Sequence, residues 1–194
     1  MDPRAAAGVV AALIDEAVAL HQAVRAMDLA PVVRAAEAIR RTTAAGGKLL
    51  VFGNGGSAAD AQHFVAELVG RFEKERAGFA ALALTTDTSV LTSVGNDYGF
   101  EQVFVRQVGA LGRPGDVACG ISTSGASPNV RLALERAKAD GLVTVALTGR
   151  DGGAIGRVAD IHVNVPSDSA ARVQEVHRTL IHAICRLVEA DGTD

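Results

Sequence analysis

The sequence predicts an α/β fold, a doubly wound parallel sheet covered by helices on both faces, and three observations carry that expectation. Short apolar runs recur at 48–52, 80–84, 116–121, 142–147 and 161–165. Segments with helical spacing of apolar residues lie between them, which is how a parallel sheet with crossover helices reads. No repeat, low-complexity stretch or linker interrupts the pattern, so one domain is expected from 194 residues.

Taken in order, residues 4–26 and 30–46 read as an N-terminal helical hairpin. Val9, Val10, Leu13, Ile14, Val18 and Leu20 form a broad apolar stripe, broken near Met27 and Asp28 and stopped by Gly46 and Gly47. These two helices are too apolar for a free appendage and are expected to pack on the α/β core, 47–190, or on a neighbouring subunit. Strand 48–52 leads through Gly53-Asn54-Gly55-Gly56-Ser57 into a helix ending at Gly70. After strand 80–84 come helices at 87–95 and 100–111. Strand 116–121 ends in Ser122-Thr123-Ser124-Gly125 and is followed by a helix at 127–140. Strand 142–147, a loop at 148–153, strand 161–165 and a closing helix at 172–189 complete the chain.

Composition excludes several functions. With 19 Lys+Arg against 22 Asp+Glu the net charge is −3, and no basic block marks a nucleic-acid surface. Aromatic residues make up 4% and there is no Trp, so stacking platforms for single strands are scarce. The apolar run at 5–14 is shorter than a membrane span and runs into Asp15 and Glu16, which also argues against a signal peptide. Cys119 and Cys185 sit apart in apolar stretches, as buried reduced thiols do. A cytoplasmic protein is expected, with no membrane and no nucleic-acid partner.

Two strand-to-helix loops look like anion cradles. In the first, the glycines between 53 and 56 free backbone N–H groups at the positive end of a helix, with Ser57 as N-cap and Asp60 completing a capping box. The second, Ser122 to Asn129, offers four hydroxyls in six residues, with Ser127 as N-cap and Pro128 at the first helical position. Hydroxyls and helix-end N–H groups without Lys or Arg suit a phosphate monoester, so the two loops together favour a phosphorylated small molecule. Either alone reads equally well as a plain turn.

Helical spacing puts His63 and Glu67 on one face. The last helix carries Gln174, Glu175, His177 and His182. Imidazole and carboxylate serve as zinc ligands or as an acid/base pair, and singly each is an ordinary structural residue. Gln174 and His182 are eight residues apart, about 12 Å along a helix axis. If both serve one site, either two subunits contribute to it or Gln174 lies in an irregular lead-in to the helix. His21 and His162 read as structural.

With these residues in view, the chain resembles the phosphoheptose isomerases of the sugar-isomerase (SIS) domain superfamily. The resemblance runs from Lys48 to Glu189, on GNGGSAADAQHF at 53–64, the Glu67 turn, LTSVGNDYGFE at 91–101, GISTSG at 120–125, and RVQEVH at 172–177 with His182. It implies a single SIS domain over 1–194 with a flavodoxin-like three-layer αβα core. It also implies an isomerase converting sedoheptulose 7-phosphate to D-glycero-D-manno-heptose 7-phosphate through an enediol. Glu67 is then the base that moves a proton between C1 and C2, and His182 the acid partner. One zinc per subunit is implied at His63, Glu67, Gln174 and His182. Substrate contacts are implied at Asn54, Gly55, Gly56, Glu67, Asn96, Asp97, Ser122, Thr123, Ser124, Ser127 and Gln174. The resemblance further implies a homotetramer with active sites at subunit interfaces.

One departure bears on the exact sugar. Ser169-Ala170-Ala171 stands where the family often has Asp-Thr or another acidic residue before Arg172, so a substrate hydroxyl contact is in doubt. SIS domains also act as non-catalytic phosphosugar sensors, one of them a partner of the bacterial replication initiator. Retention of Glu67, His182 and the intact ISTSG stretch favours the enzyme.

Overall fold

The computed structural model describes residues 2–190. Strands β1 (Leu49–Gly53), β2 (Ala81–Ala83), β3 (Val117–Ser122), β4 (Val143–Gly149) and β5 (Ile161–Val165) form one sheet in the order β2-β1-β3-β4-β5. Every neighbouring pair is parallel. The helices are α1 (Pro3–Arg25), α2 (Ala30–Ala44), α3 (Gly56–Val69), α4 (Thr88–Tyr98), α5 (Val103–Leu111), α6 (Pro128–Ala139), α7 (Gly153–Val158) and α8 (Ala170–Glu189).

Side chains alternate across the sheet, and both faces are dry. Leu49 and Val51 join Ile39, Phe64, Ile181 and Ile184 under α2, α3 and α8. Leu50 and Phe52 join Phe104, Val108, Val130 and Leu134 under α5 and α6. Burial on both sides is why β1, β3 and β4 read as largely apolar runs, whereas the edge strand β5 alternates, with His162 and Asn164 only half-buried. The result is the three-layer αβα sandwich expected, with flavodoxin-like strand order.

Two segments differ from expectation. The stretch predicted as one helix over 100–111 opens with a 3-10 turn at Phe100–Gln102 before α5 starts at Val103. The six-residue α7 follows the loop after β4 unannounced, because two of its residues are Gly153 and Gly156. Added Cβ atoms there would meet the carbonyl of Gly125 and the ring of His162, so close packing rather than helix propensity chose these residues.

α2 covers the sheet, whereas α1 lies outside it against α8. α1 is anchored near its C-terminus by Val24, buried in the core with Leu20 packed beside it, and by polar contacts: His21 sits 2.9 Å from Thr179 Oγ1, and Arg172 donates to the carbonyl of Leu13. Val9, Val10, Leu13, Ile14 and Val18 remain between 45% and 58% exposed. The expectation that the N-terminal apolar run is too short for a span holds for 5–14 but not for the helix. By length and composition α1 is long and apolar enough to cross a membrane, with a mean hydropathy of 1.4. His162 is tied at 2.6 Å to Thr148 Oγ1.

His177 is fully buried between α8 and β4. Its Nε2 donates to the carbonyl of Thr148 at 3.0 Å, leaving Nδ1 as a buried acceptor with no partner among the described residues. Burial therefore holds its pKa below the ordinary imidazole value, and the hydrogen bond to Thr148 and then the carboxylate of Asp60 offset this only in part. A histidine depressed in the folded state contributes stability above its unfolded pKa and loses it as pH falls, because the unfolded chain takes up the proton first. Stability measured by urea unfolding is expected to drop between about pH 7 and pH 5, with a shallower slope in His177→Gln, which keeps a donor to Thr148 but does not titrate.

Candidate active site

The chain reverses direction through the sheet between β1 and β3, and ligands in such sheets bind beyond the strand ends at that point. Both glycine- and serine-rich loops open there. Gly53, the last residue of β1, pairs with Ile121 of β3. A Cβ on Gly53 would lie 2.7 Å from the Ile121 carbonyl oxygen and 2.9 Å from Ser57 Cβ, so only glycine lets the strand turn this close to its neighbour. Gly55 then enters α3 at φ +55°, a left-handed conformation that side chains resist.

The two loops are laced together by a reciprocal amide pair. Asn54 Nδ2 donates to Asn129 Oδ1 at 2.9 Å, and Asn129 Nδ2 donates back to Asn54 Oδ1 at 3.0 Å. Asn129 is buried at the start of α6 and was not singled out in the sequence. Ser122 Oγ lies 3.0 Å from Ser127 Oγ and 3.4 Å from Ser124 Oγ, which gathers three hydroxyls at one strand end beside Thr123. A third loop, after β4, closes the side: Ile155 N donates to the Gly125 carbonyl at 3.0 Å.

The predicted caps are corrected. The α3 N-cap is Gly55 and no side chain caps the helix. Ser57 is buried inside α3, and Asp60 instead receives Nε and Nη2 of Arg178 at 3.1 and 2.5 Å. Ser127 occupies the α6 N-cap position, but its hydroxyl turns to Ser122 rather than to the helix.

Further along α3, packing against α8 collects three of the predicted residues. His63 Nε2 lies 2.7 Å from His182 Nε2 and 3.4 Å from Glu67 Oε1. One donor atom from each of the three lies within 4.8 Å of the others, partly exposed. Two imidazoles and a carboxylate at this spacing fit a divalent cation of zinc type. Burial, and then the positive charge of Arg178, hold the His63 pKa below its ordinary value, partly offset by Glu67, which favours the neutral ring a metal needs. The ring of Phe72 stacks on His182 at 5.3 Å, another contact that reading the sequence missed.

Gln174 does not join this cluster within one chain. The irregular lead-in considered for it is excluded, since α8 starts at Ala170 with Ser169 as its cap and runs regularly through both Gln174 and His182. Gln174 instead packs on Gly56, where an added Cβ would meet its amide nitrogen. Asn96 and Asp97 lie in α4, a helix without a buried residue, and hydrogen-bond each other at 2.8 Å. Asn129→Ala is expected to cost about 1–3 kcal/mol in urea unfolding, since it orphans the Asn54 amide. It should also speed amide hydrogen exchange over 54–57, which a remote destabilisation would leave unchanged.

Known proteins share the sequence and the fold of this chain over most of its length. The SIS domain family matches residues 13–149. A phosphoheptose isomerase of Trichlorobacter lovleyi is 53% identical over 180 residues, covering 93% of this chain and 92% of that protein. One from Geobacter sulfurreducens is 58% identical over 154 residues, covering 79% and 82%. The structure of the Neisseria gonorrhoeae phosphoheptose isomerase superposes with a TM-score of 0.89 at 49% identity, covering 94% of this chain and 97% of that one. That of Francisella tularensis gives 0.91 at 37% identity, covering 95% and 98%. On these matches the chain belongs to the phosphoheptose isomerase family of SIS-domain proteins and is a sugar-phosphate isomerase.

Proposed function

We propose that the enzyme interconverts sedoheptulose 7-phosphate and D-glycero-D-manno-heptose 7-phosphate in the cytoplasm. The observation that carries this reading is the meeting of His63, Glu67 and His182 on facing helices, in a protein whose strand-end loops offer only neutral donors to a phosphate.

In this reading Ser122, Thr123, Ser124 and Ser127, with Asn54, Gly55 and Gly56, hold the phosphate end and orient the sugar. Glu67 removes the proton from C1 of the open-chain ketose and returns it to C2. His182 gives a proton to the C2 carbonyl oxygen and accepts one from the C1 hydroxyl, so the enediol collapses to the aldose. His63, Glu67 and His182 would hold a divalent metal of zinc type, which would supply Lewis-acid polarisation of the sugar oxygens when bound.

The distances favour sites shared between subunits. Glu67 lies eleven residues beyond Gly56, roughly 16 Å along α3, further than an extended seven-carbon phosphate ester reaches. Gln174 is separated from His182 along α8 in the same way. A phosphosugar held at one chain's loops would meet Glu67 and His182 of a second copy. Gln174 would then touch substrate beside its own Gly56 and join the neighbour's metal, with Asn96 and Asp97 contributing from the exposed α4. The uncovered stripe of α1 offers a surface for assembly, and a homotetramer is the state proposed.

Glu67→Gln is expected to lower kcat by about 10²–10⁴-fold while sugar-phosphate binding persists; undiminished turnover removes the mechanism. Chelation should abolish activity and zinc restore it, whereas full activity of metal-free protein confines the cluster to acid–base work. Co-expressed Gln174→Ala and His182→Ala chains, each inactive alone, should regain part of the wild-type rate if sites draw on two subunits. A fully active monomer in light scattering would overturn that arrangement.

A further inference from the structure

We propose that Glu189 is a positioning residue for the isomerisation, setting the placement of Glu67 and His182 relative to each other through Arg76 and Phe72. The inference rests on the roles given above to Glu67 and His182.

Glu189 ends α8 with its carboxylate buried, the costliest combination for an acid, since both desolvation and the negative end of the helix dipole oppose its charge. Its partners account for its survival there. One oxygen accepts from Phe72 N at 2.8 Å and Arg76 Nε at 2.9 Å, the other from Glu73 N at 2.9 Å and Lys74 N at 3.0 Å. Burial alone would raise its pKa, but these backbone N–H groups and the Arg76 charge hold it at about 2. The carboxylate thus organises the segment between α3 and β2, which carries no helix or strand of its own.

Two arms lead from this clamp to the candidate site. Arg76 lies over the Phe79 ring at 4.1 Å and turns its remaining donors to the open carbonyls at the end of α3, reaching Glu67 O at 3.0 Å and Leu68 O at 2.9 Å. The second arm fixes Phe72 through its backbone N–H, and the Phe72 ring stacks on His182. Glu189 and His182 are seven residues apart, two turns along one face of α8. One carboxylate therefore braces the backbone that carries the proposed base and the ring that covers the proposed acid. An amide cannot replace it, because its NH2 would face backbone N–H groups.

The test uses full-length protein as purified, with E189Q, E189D and F72L, and records the ¹H–¹³C signals of the histidine rings, His182 being identified by its absence in H182N. F72L is expected to remove the ring-current displacement of the His182 signal, and E189Q to move it in the same direction. Below the unfolding temperature, kcat of E189Q should fall by about 10²-fold with KM within about twofold, and E189D should recover part of the loss. An unmoved His182 signal in E189Q, or a rate loss that follows only the folded fraction, overturns the proposal. If E189Q does not fold, an F72L protein with wild-type kcat and an unmoved His182 signal does so instead. Should wild-type protein lack isomerase activity, the His182 displacement still decides the positioning, so failure of the functional reading is told apart from failure of this one.

Discussion

The parallel pairing of β1 with β3 is the constraint on which the rest of the site depends. It brings together two strand ends that are 68 residues apart in sequence, Gly53 and Ile121, and so brings together two loops that are weak signals alone. The approach is held open to backbone by glycine and held closed by the Asn54–Asn129 amides, whose two hydrogen bonds contribute roughly 1 kcal/mol each. The same economy of volume recurs behind the loop. Gly120 in β3 admits Val130 and Leu134 of α6, where a Cβ would lie 2.8 Å from Val130 Cγ1, so α6 can bring Asn129 down to the strand end.

What was legible in the sequence follows from the range of the interactions. The central strands β1, β3 and β4 are readable because burial on both faces makes them largely apolar, and helices because their buried stripes repeat. The two loops were readable because glycine and serine act on their own backbone. The capping box at Ser57 and Asp60 misled because a local pattern was taken over by a distant partner, Arg178, 118 residues away. Asn129, 75 residues from Asn54, carried no local mark. Nor did Glu189, whose partners at 72–76 lie 113 to 117 residues away and only become neighbours when α8 packs on α3.

His63 and Glu67 show the same rule in a helix. At i,i+4 spacing the pair is an ordinary surface contact worth a few tenths of a kcal/mol. It becomes a candidate site because α8 places His182 against it, where burial and then the charge of Arg178, anchored on Asp60, hold the His63 pKa down. Each of these partners comes from one helix, α8, which also buries Val173, Val176, Ile181 and Ile184 against the sheet. Core packing and the chemistry of the cluster are therefore not separable along α8, and its rotation by one residue would undo both.

α3 divides its work between its ends. Its N-terminus, entered through Gly55, leaves backbone N–H groups at the strand ends, where the helix dipole favours an anion. Its C-terminus, where the dipole opposes added negative charge, carries Glu67, and there Arg76 donates to the last carbonyls. A helix can serve a phosphate at one end and a proton-transferring carboxylate at the other, but the length between them separates the two roles. The proposed chemistry needs both within the span of one sugar phosphate. Under the assembly proposed above, the exposed apolar face of α1, the unburied α4 and the Gln174–His182 spacing on α8 would share one explanation: a second copy would supply the half of the site that this chain holds apart.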